Sequence, residues 1–160
     1  MPVPRPLPDL AIRLAAQADV PAIEELIRAA YTGYIERIGA PPGPMLDDYA
    51  ARVSQLVLWV GERDGRIVGL VVLVPKEDCL YLDNIAIDPD RQGQGFGHAL
   101  MRFAEDRARR ANLPEMRLFT HQTMDENIAL YARTGWLETA RHRQDGYDRV
   151  FFRKPVPAAP

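Results

Sequence analysis

The sequence predicts a mixed α/β (α+β) fold, a mostly antiparallel sheet of about seven strands with flanking helices. Three observations predict it. Short apolar segments with a period of two alternate with longer ones that repeat at three and four. Two Asp-Gly pairs, Asp64-Gly65 and Asp145-Gly146, sit between strand-like runs as hairpin turns. An apolar strand, a glycine-rich turn and an amphipathic helix follow one another without a linker over residues 81–110.

The elements are expected in the order β-α-α-β-β-β-α-β-α-β-β. Residues 10–15 alternate as a short strand. Asp19 caps a helix with Pro21 in its first turn. That helix carries Ile23, Leu26, Ile27, Ala30, Tyr31, Tyr34 and Ile35 on one face and ends at Gly39. The run GAPPGPM excludes regular structure, because its prolines lack backbone donors. Asp47 and Asp48 open a short helix over Tyr49, Val53 and Leu56. Residues 56–62 and 66–75 form a hairpin around Asp64-Gly65, and the second strand, apolar almost throughout, belongs at the centre of the sheet. After a polar turn, residues 79–87 form the next strand.

The helix behind the glycine turn points Leu100, Met101, Phe103, Ala104 and Ala108 inward. Residues 116–120 form a strand parallel to the one before the turn, because a helix joins them. Thr123 or Asp125 caps a helix over 126–133, with Gly135 just beyond its end. Residues 136–140 and 147–153 are the last strands. A single domain over 10–154 is expected, with 1–9 and 155–160 as frayed ends.

Composition narrows the partners. At 47% apolar and 26% charged, the chain can bury a core, and a net charge of -2 argues against a nucleic-acid surface. No apolar run is long enough to cross a membrane, and the proline-rich start lacks the apolar core of a signal peptide. One cysteine, Cys79, cannot form an internal disulfide, so a reducing, cytoplasmic setting is expected. Cys79 itself reads as a small core residue.

The chemistry begins at Asp88-Pro89, where the strand stops, and at Arg91-Gln92-Gly93-Gln94-Gly95-Phe96-Gly97. A glycine turn leading into a helix presents bare backbone N–H groups to an anion, and the missing Cβ atoms let a phosphate approach. Two nucleotide loops do not fit. A P-loop needs Lys and Ser/Thr after its last glycine, and His98, Ala99 and Leu100 stand here. A dinucleotide loop counted from Gly93 or Gly95 would place its third glycine at His98 or Leu100.

The spacing of Gln92, Gly95 and Gly97 resembles the acetyl-CoA loop of the GNAT N-acetyltransferase superfamily, Q/R-x-x-G-x-G/A. The resemblance covers roughly residues 12–153 and implies that superfamily's fold and an acetyl-CoA-dependent transfer of acetyl to a primary amine. It implies that the loop from Arg91 to Gly97 holds the coenzyme A pyrophosphate, and that the backbone of Ile85 and Ile87 binds pantetheine as an added strand. His98 is a further candidate for charge near the phosphates.

Within Asn127-Ile128-Ala129-Leu130-Tyr131, followed by Thr134-Gly135-Trp136, the segment resembles the family's LY-x-x-x-G-F. That makes Tyr131 the expected acid for the departing thiolate, against the alternative of a packed core tyrosine. The family often has Asn seven residues before that Tyr, where this chain has Met124. Asn127, one turn before Tyr131, is the candidate for a cofactor contact instead. Asp83, a carboxylate in an apolar strand, is the candidate base, directly or through water; a structural pairing with an arginine is the alternative. Strand alternation places Tyr81, Asp83, Ile85 and Ile87 on one face and Leu82, Asn84 and Ala86 on the other.

Asn84 and His121 are candidate acceptor contacts, and His121 is an alternative base. The irregular stretch containing Tyr31, Tyr34, Asp47, Asp48 and Tyr49 is the expected acceptor wall, aromatic and acidic enough for a cationic amine. No metal and no covalent carrier is expected. The acceptor is a small molecule or a protein, and the resemblance suggests a homodimer. The alternative of a different class is a non-catalytic acyl-CoA sensor of the same fold.

Overall fold

The computed structural model describes residues 6–158, so part of each expected frayed end, 1–5 and 159–160, lies outside the described residues. Seven strands form one sheet in the order β1-β2-β3-β4-β5-β7-β6. They are β1 (Ala11–Leu14), β2 (Leu58–Arg63), β3 (Arg66–Pro75), β4 (Leu80–Ile87), β5 (Glu115–His121), β6 (Leu137–Gln144) and β7 (Tyr147–Pro155). All neighbours are antiparallel except β4 and β5. The helices are α1 (Val20–Tyr31), α2 (Tyr34–Ile38), α3 (Tyr49–Ser54), α4 (Phe96–Arg110) and α5 (Asp125–Arg133). No helix among the described residues is long and apolar enough to cross a membrane.

Two apolar clusters cover opposite faces of the sheet. One joins Leu80 and Leu82 of β4 to Leu100, Ala104 and Ala108 of α4 and to Tyr131 and Trp136. The other joins Ile23, Leu26 and Ile27 of α1 and Tyr49 and Val53 of α3 to Leu58, Val60, Leu70 and Val72. β3 feeds both clusters, with Val68 through Leu73 buried, as its continuous apolar run requires.

Several boundaries differ from expectation. The first long helix breaks into α1 and α2 at Thr32-Gly33, where the Thr32 hydroxyl turns back to the Arg28 carbonyl. Leu56, expected on a helix face and at a strand start, is 66% exposed with φ 59, and β2 begins two residues later. β6 starts at Leu137 rather than Trp136, which is buried, and extends to Gln144. β7 reaches Pro155, and Val156 beyond it is buried with its N–H on the Pro114 carbonyl at 2.8 Å.

The largest correction concerns β4. Val72 pairs with Asn84 but Leu73 pairs with Leu82, so Asp83 is the extra residue of a β-bulge. The alternation therefore changes phase there. Leu80, Leu82, Ile85 and Ile87 all pack in the α4 cluster, while Ala86 packs in the α1 cluster. Asp83 and Asn84 are thus not on opposite faces: Asp83 reaches Arg52 of α3, and Asn84 reaches Tyr31 of α1 and Tyr49 of α3. The β4–β5 pairing is confined to Leu80–Met116 and Tyr81–Arg117. Beyond the bulge the two strands diverge.

Candidate active site

A cavity of about 290 Å³ opens where β4 leaves β5. It is lined by Asp83, Asn84 and Ile85 from β4 and by Phe119, Thr120 and His121 from β5. Tyr31, Arg52, Asn127, Tyr131 and Arg149 close it from the helices and β7. Of the expected site residues, Tyr31, Asp83, Asn84, Ile85, His121, Asn127 and Tyr131 are therefore brought together.

Asp83 sits between two influences. Burial pushes its carboxyl above the usual range, and the Arg52 guanidinium opposes this. Arg52 Nη2 donates to Asp83 Oδ2 at 2.6 Å, and its Nε donates to Asp47 Oδ2 at 2.9 Å. The arginine pairing considered from the sequence is present, yet Asp83 Oδ1 accepts no hydrogen bond from the described residues. One lone-pair face is left for an amine or a water.

Tyr131 packs its ring in the core, 5.7 Å from Trp136 and 5.6 Å from Phe152, centroid to centroid. Its hydroxyl bonds to no described residue and borders the cavity. Burial, with Tyr34 adding to it, pushes its pKa up to about 12, so the phenol keeps its proton across the physiological range. The ring is thus packed as a core tyrosine, while the residue also lines the cavity. Asn127 lies one turn earlier, with Nδ2 3.5 Å from Met124 Sδ.

The other candidates divide. The Tyr31 hydroxyl donates to Asn84 Oδ1 at 2.6 Å, with the Ile85 carbonyl 3.2 Å away. Asn84 Nδ2 donates to the Tyr49 hydroxyl at 3.2 Å. The Asn84 amide therefore orders the wall, and the residue also lines the cavity. Tyr34 does not line the cavity; its ring lies 5.2 Å from the Arg37 guanidinium. His121 Nδ1 accepts the Thr123 N–H at 3.1 Å, which directs the ring proton to Nε2. Burial lowers its pKa. With Nδ1 taken up by Thr123, Nε2 is the ring nitrogen left for other partners.

The glycine turn lies outside this cavity, at the far end of the same strand. Asp88 caps it by accepting the Asp90 N–H at 3.0 Å. Gly93 and Gly95 hold φ of 81° and 90°, which side chains resist. Gly97 has no such φ; a Cβ there would first meet Ile87 Cγ1 at 3.9 Å. The first helical bond runs from Ala99 N to Gly95 O, and no N–H from Gln92 to His98 donates to a described residue. Seven amides without a described partner, at a helix start and beside Arg91 with no ion pair among the described residues, form a candidate anion cradle. Phe96 is buried, whereas Gln92, Gln94 and His98 are exposed. Between cradle and cavity, β4 runs past Ile87 and Ile85 without a strand partner on its β5 side.

Arg52, Asp47, Arg149 and Tyr147 complete the site, and of these only Asp47 had a place in the expected wall. Neither arginine carries a local signal. Arg52 meets Asp83 across 31 residues, and Arg149 enters through strand register.

Comparison with known proteins gives a consistent result. The chain matches the model of the acetyltransferase (GNAT) family over residues 20–136. Its fold is similar to the ribosomal-protein-S18-alanine N-acetyltransferase of Escherichia coli: TM-score 0.75, 23% identity, covering 95% of this chain and 97% of that one. It is similar to the PaiA N-acetyltransferase of Thermoplasma acidophilum, solved with coenzyme A: TM-score 0.74, 17% identity, 92% and 99% covered. It is also similar to yncA of Salmonella typhimurium, solved with acetyl-CoA: TM-score 0.68, 22% identity, 92% and 94% covered.

Proposed function

The chain belongs to the acetyltransferase (GNAT) family, and we propose that it moves an acetyl group from acetyl-CoA to a primary amine by direct attack. The observation that carries this reading is the continuity of one strand. β4 connects an anion cradle at Gln92–Gly97 to a cavity where a carboxylate and a protonated phenol face the same space. The open backbone along Ile85 and Ile87 offers an extended chain the edge that β5 has vacated. Two similar structures were solved with coenzyme A or acetyl-CoA, which supports that ligand here.

The residues divide the work as follows. The cradle amides and Arg91 hold the pyrophosphate. Asp83 Oδ1, or a water it orients, takes the proton from the incoming ammonium. Backbone N–H near Ile85 stabilises charge on the carbonyl oxygen as the carbon–nitrogen bond forms and the carbon–sulfur bond breaks. Tyr131 gives its proton to the departing sulfur. Two protons leave the nitrogen: Asp83 or its water takes the first before attack, and the second, lost as the carbon–sulfur bond breaks, makes good the proton that Tyr131 gives the sulfur, so amide, free thiol and one proton released to water balance.

Release of free thiol from acetyl-CoA in the presence of primary amines tests the reading. The wild type should turn over with at least one amine class. Tyr131→Phe should lower kcat by about a hundredfold or more while coenzyme A affinity stays within about twofold. Unchanged turnover would remove Tyr131 from the mechanism.

A further inference from the structure

Arg149 is the one cation of the cavity that the proposed chemistry does not use. It stands on β7, opposite His121 of β5. Its side chain is only 13% exposed. The guanidinium carbon lies 4.1 Å from the Phe119 ring centroid and 5.6 Å from that of Tyr147. Nη1 donates to Gln144 Oε1 at 2.8 Å and to Asp145 Oδ2 at 3.3 Å. Nε and Nη2 donate to no described residue. Asp145 is 75% exposed, so its charge is spent largely on water. A nearly buried guanidinium with half of its fork unclaimed is costly unless something fills it.

Charge balance says what fills it. Asp47 and Asp83 against Arg52 leave one net negative charge, and Arg149 brings the lining to neutrality. A simple cationic amine would leave the site with an uncompensated positive charge close to two arginines. A zwitterion leaves it neutral, with its ammonium toward Asp83 and its anion on Arg149. A planar fork with two free donors matches a carboxylate in particular. The small cavity suits a compact acceptor.

We propose that the acceptor is a small amino-carboxylate, an amino acid or a close analogue, whose carboxylate is held by Arg149 Nε and Nη2 while its amine faces Asp83. This rests on the acetyl-transfer reading and names the acceptor class within it. Arg149 also departs from the acidic, amine-only character expected of the acceptor wall.

The test compares each common amino acid with its carboxamide as acceptor, by thiol release, in wild type, Arg149→Gln and Arg149→Lys. Coenzyme A binding and melting are followed in parallel for all three. At least one amino acid should be acetylated, and its amide should be poorer by roughly ten- to a hundredfold in kcat/KM. Arg149→Gln should bring the acid down to its amide, mainly through KM, with coenzyme A binding retained. Arg149→Lys should fall between, since it keeps the charge and loses the fork. The inference is overturned if coenzyme A binds but no free amino acid is acetylated, or if the amides do as well as the acids. It is overturned too if a C-terminally amidated peptide is the better acceptor, or if Arg149→Gln and Arg149→Lys slow acids and amides alike. Failure of coenzyme A to bind the wild type would sink the underlying reading, and the inference with it.

Discussion

Asp83 is a carboxylate held between burial and a guanidinium. Burial raises its pKa, and Arg52 pulls it down. Since the proposed base works only when ionised, activity should fall toward acid as Asp83 takes up a proton, along a limb centred above the usual aspartate value. Replacing Arg52 by Gln removes the opposing charge, so the limb should move to higher pH; Asp83→Asn should abolish it along with most of the rate. The pH profile of kcat/KM checks both. A limb that stays in place in Arg52→Gln would mean that another group takes the proton. Tyr131, pushed up to about 12, should contribute no limb within the usual assay range. These assignments were partly legible. Asp83 stood out because a charge in an apolar strand demands a partner, and Tyr131 because of its segment. Arg52 and Arg149 were not legible, because each acquires its meaning from a residue brought near only by folding.

At the scale of elements, the site depends on how α2 meets α5. Arg37 of α2 donates to both carboxylate oxygens of Glu126, and to the Thr123 carbonyl before α5. The Arg37 hydrogen bonds hold the Glu126 carboxyl at about 2, below its usual 4.5. A depressed acid stabilises the fold above its unfolded pKa and loses that contribution as pH falls through the folded one. Glu126→Gln should therefore melt slightly lower than wild type near neutrality, and the difference should close between about 4.5 and 2. Thermal melting across that window checks it; a gap persisting below pH 2 would assign the effect to something other than this pair. The effect should be small, because Glu126 is 55% exposed. The helix break that creates α2 had a sequence signal in Gly33, outweighed by the apolar period running through it. The bulge at Asp83 had none: alternation reads straight across it, and only the pairing of β3 with β4 reveals the extra residue.

Across the whole molecule, the proposed function follows from one gap between neighbouring strands of the sheet. β3 is buried between two helical layers, and β5 pairs along its length with β7. β4 and β5 stay paired at only two positions, and the bulge at Asp83 follows just after them. The fold class, strand count and parallel crossover were legible because hydrophobic period and turn residues report them directly. The open edge along Ile85 and Ile87 was legible only through the resemblance and its added strand, since a strand that loses its neighbour keeps the same residue pattern.

The most direct measurement is calorimetric titration of coenzyme A into the wild type and into Gln94→Glu, with the melting temperature of each. Gln94 is exposed just before a helix, where a carboxylate is tolerated, so folding should be kept. Its charge would repel a pyrophosphate held by the neighbouring amides. The account predicts that coenzyme A binds the wild type and binds Gln94→Glu about tenfold more weakly, with folding intact. Equal affinity in the two proteins, or no binding by the wild type, would contradict the assignment of Gln92–Gly97 as the pyrophosphate cradle.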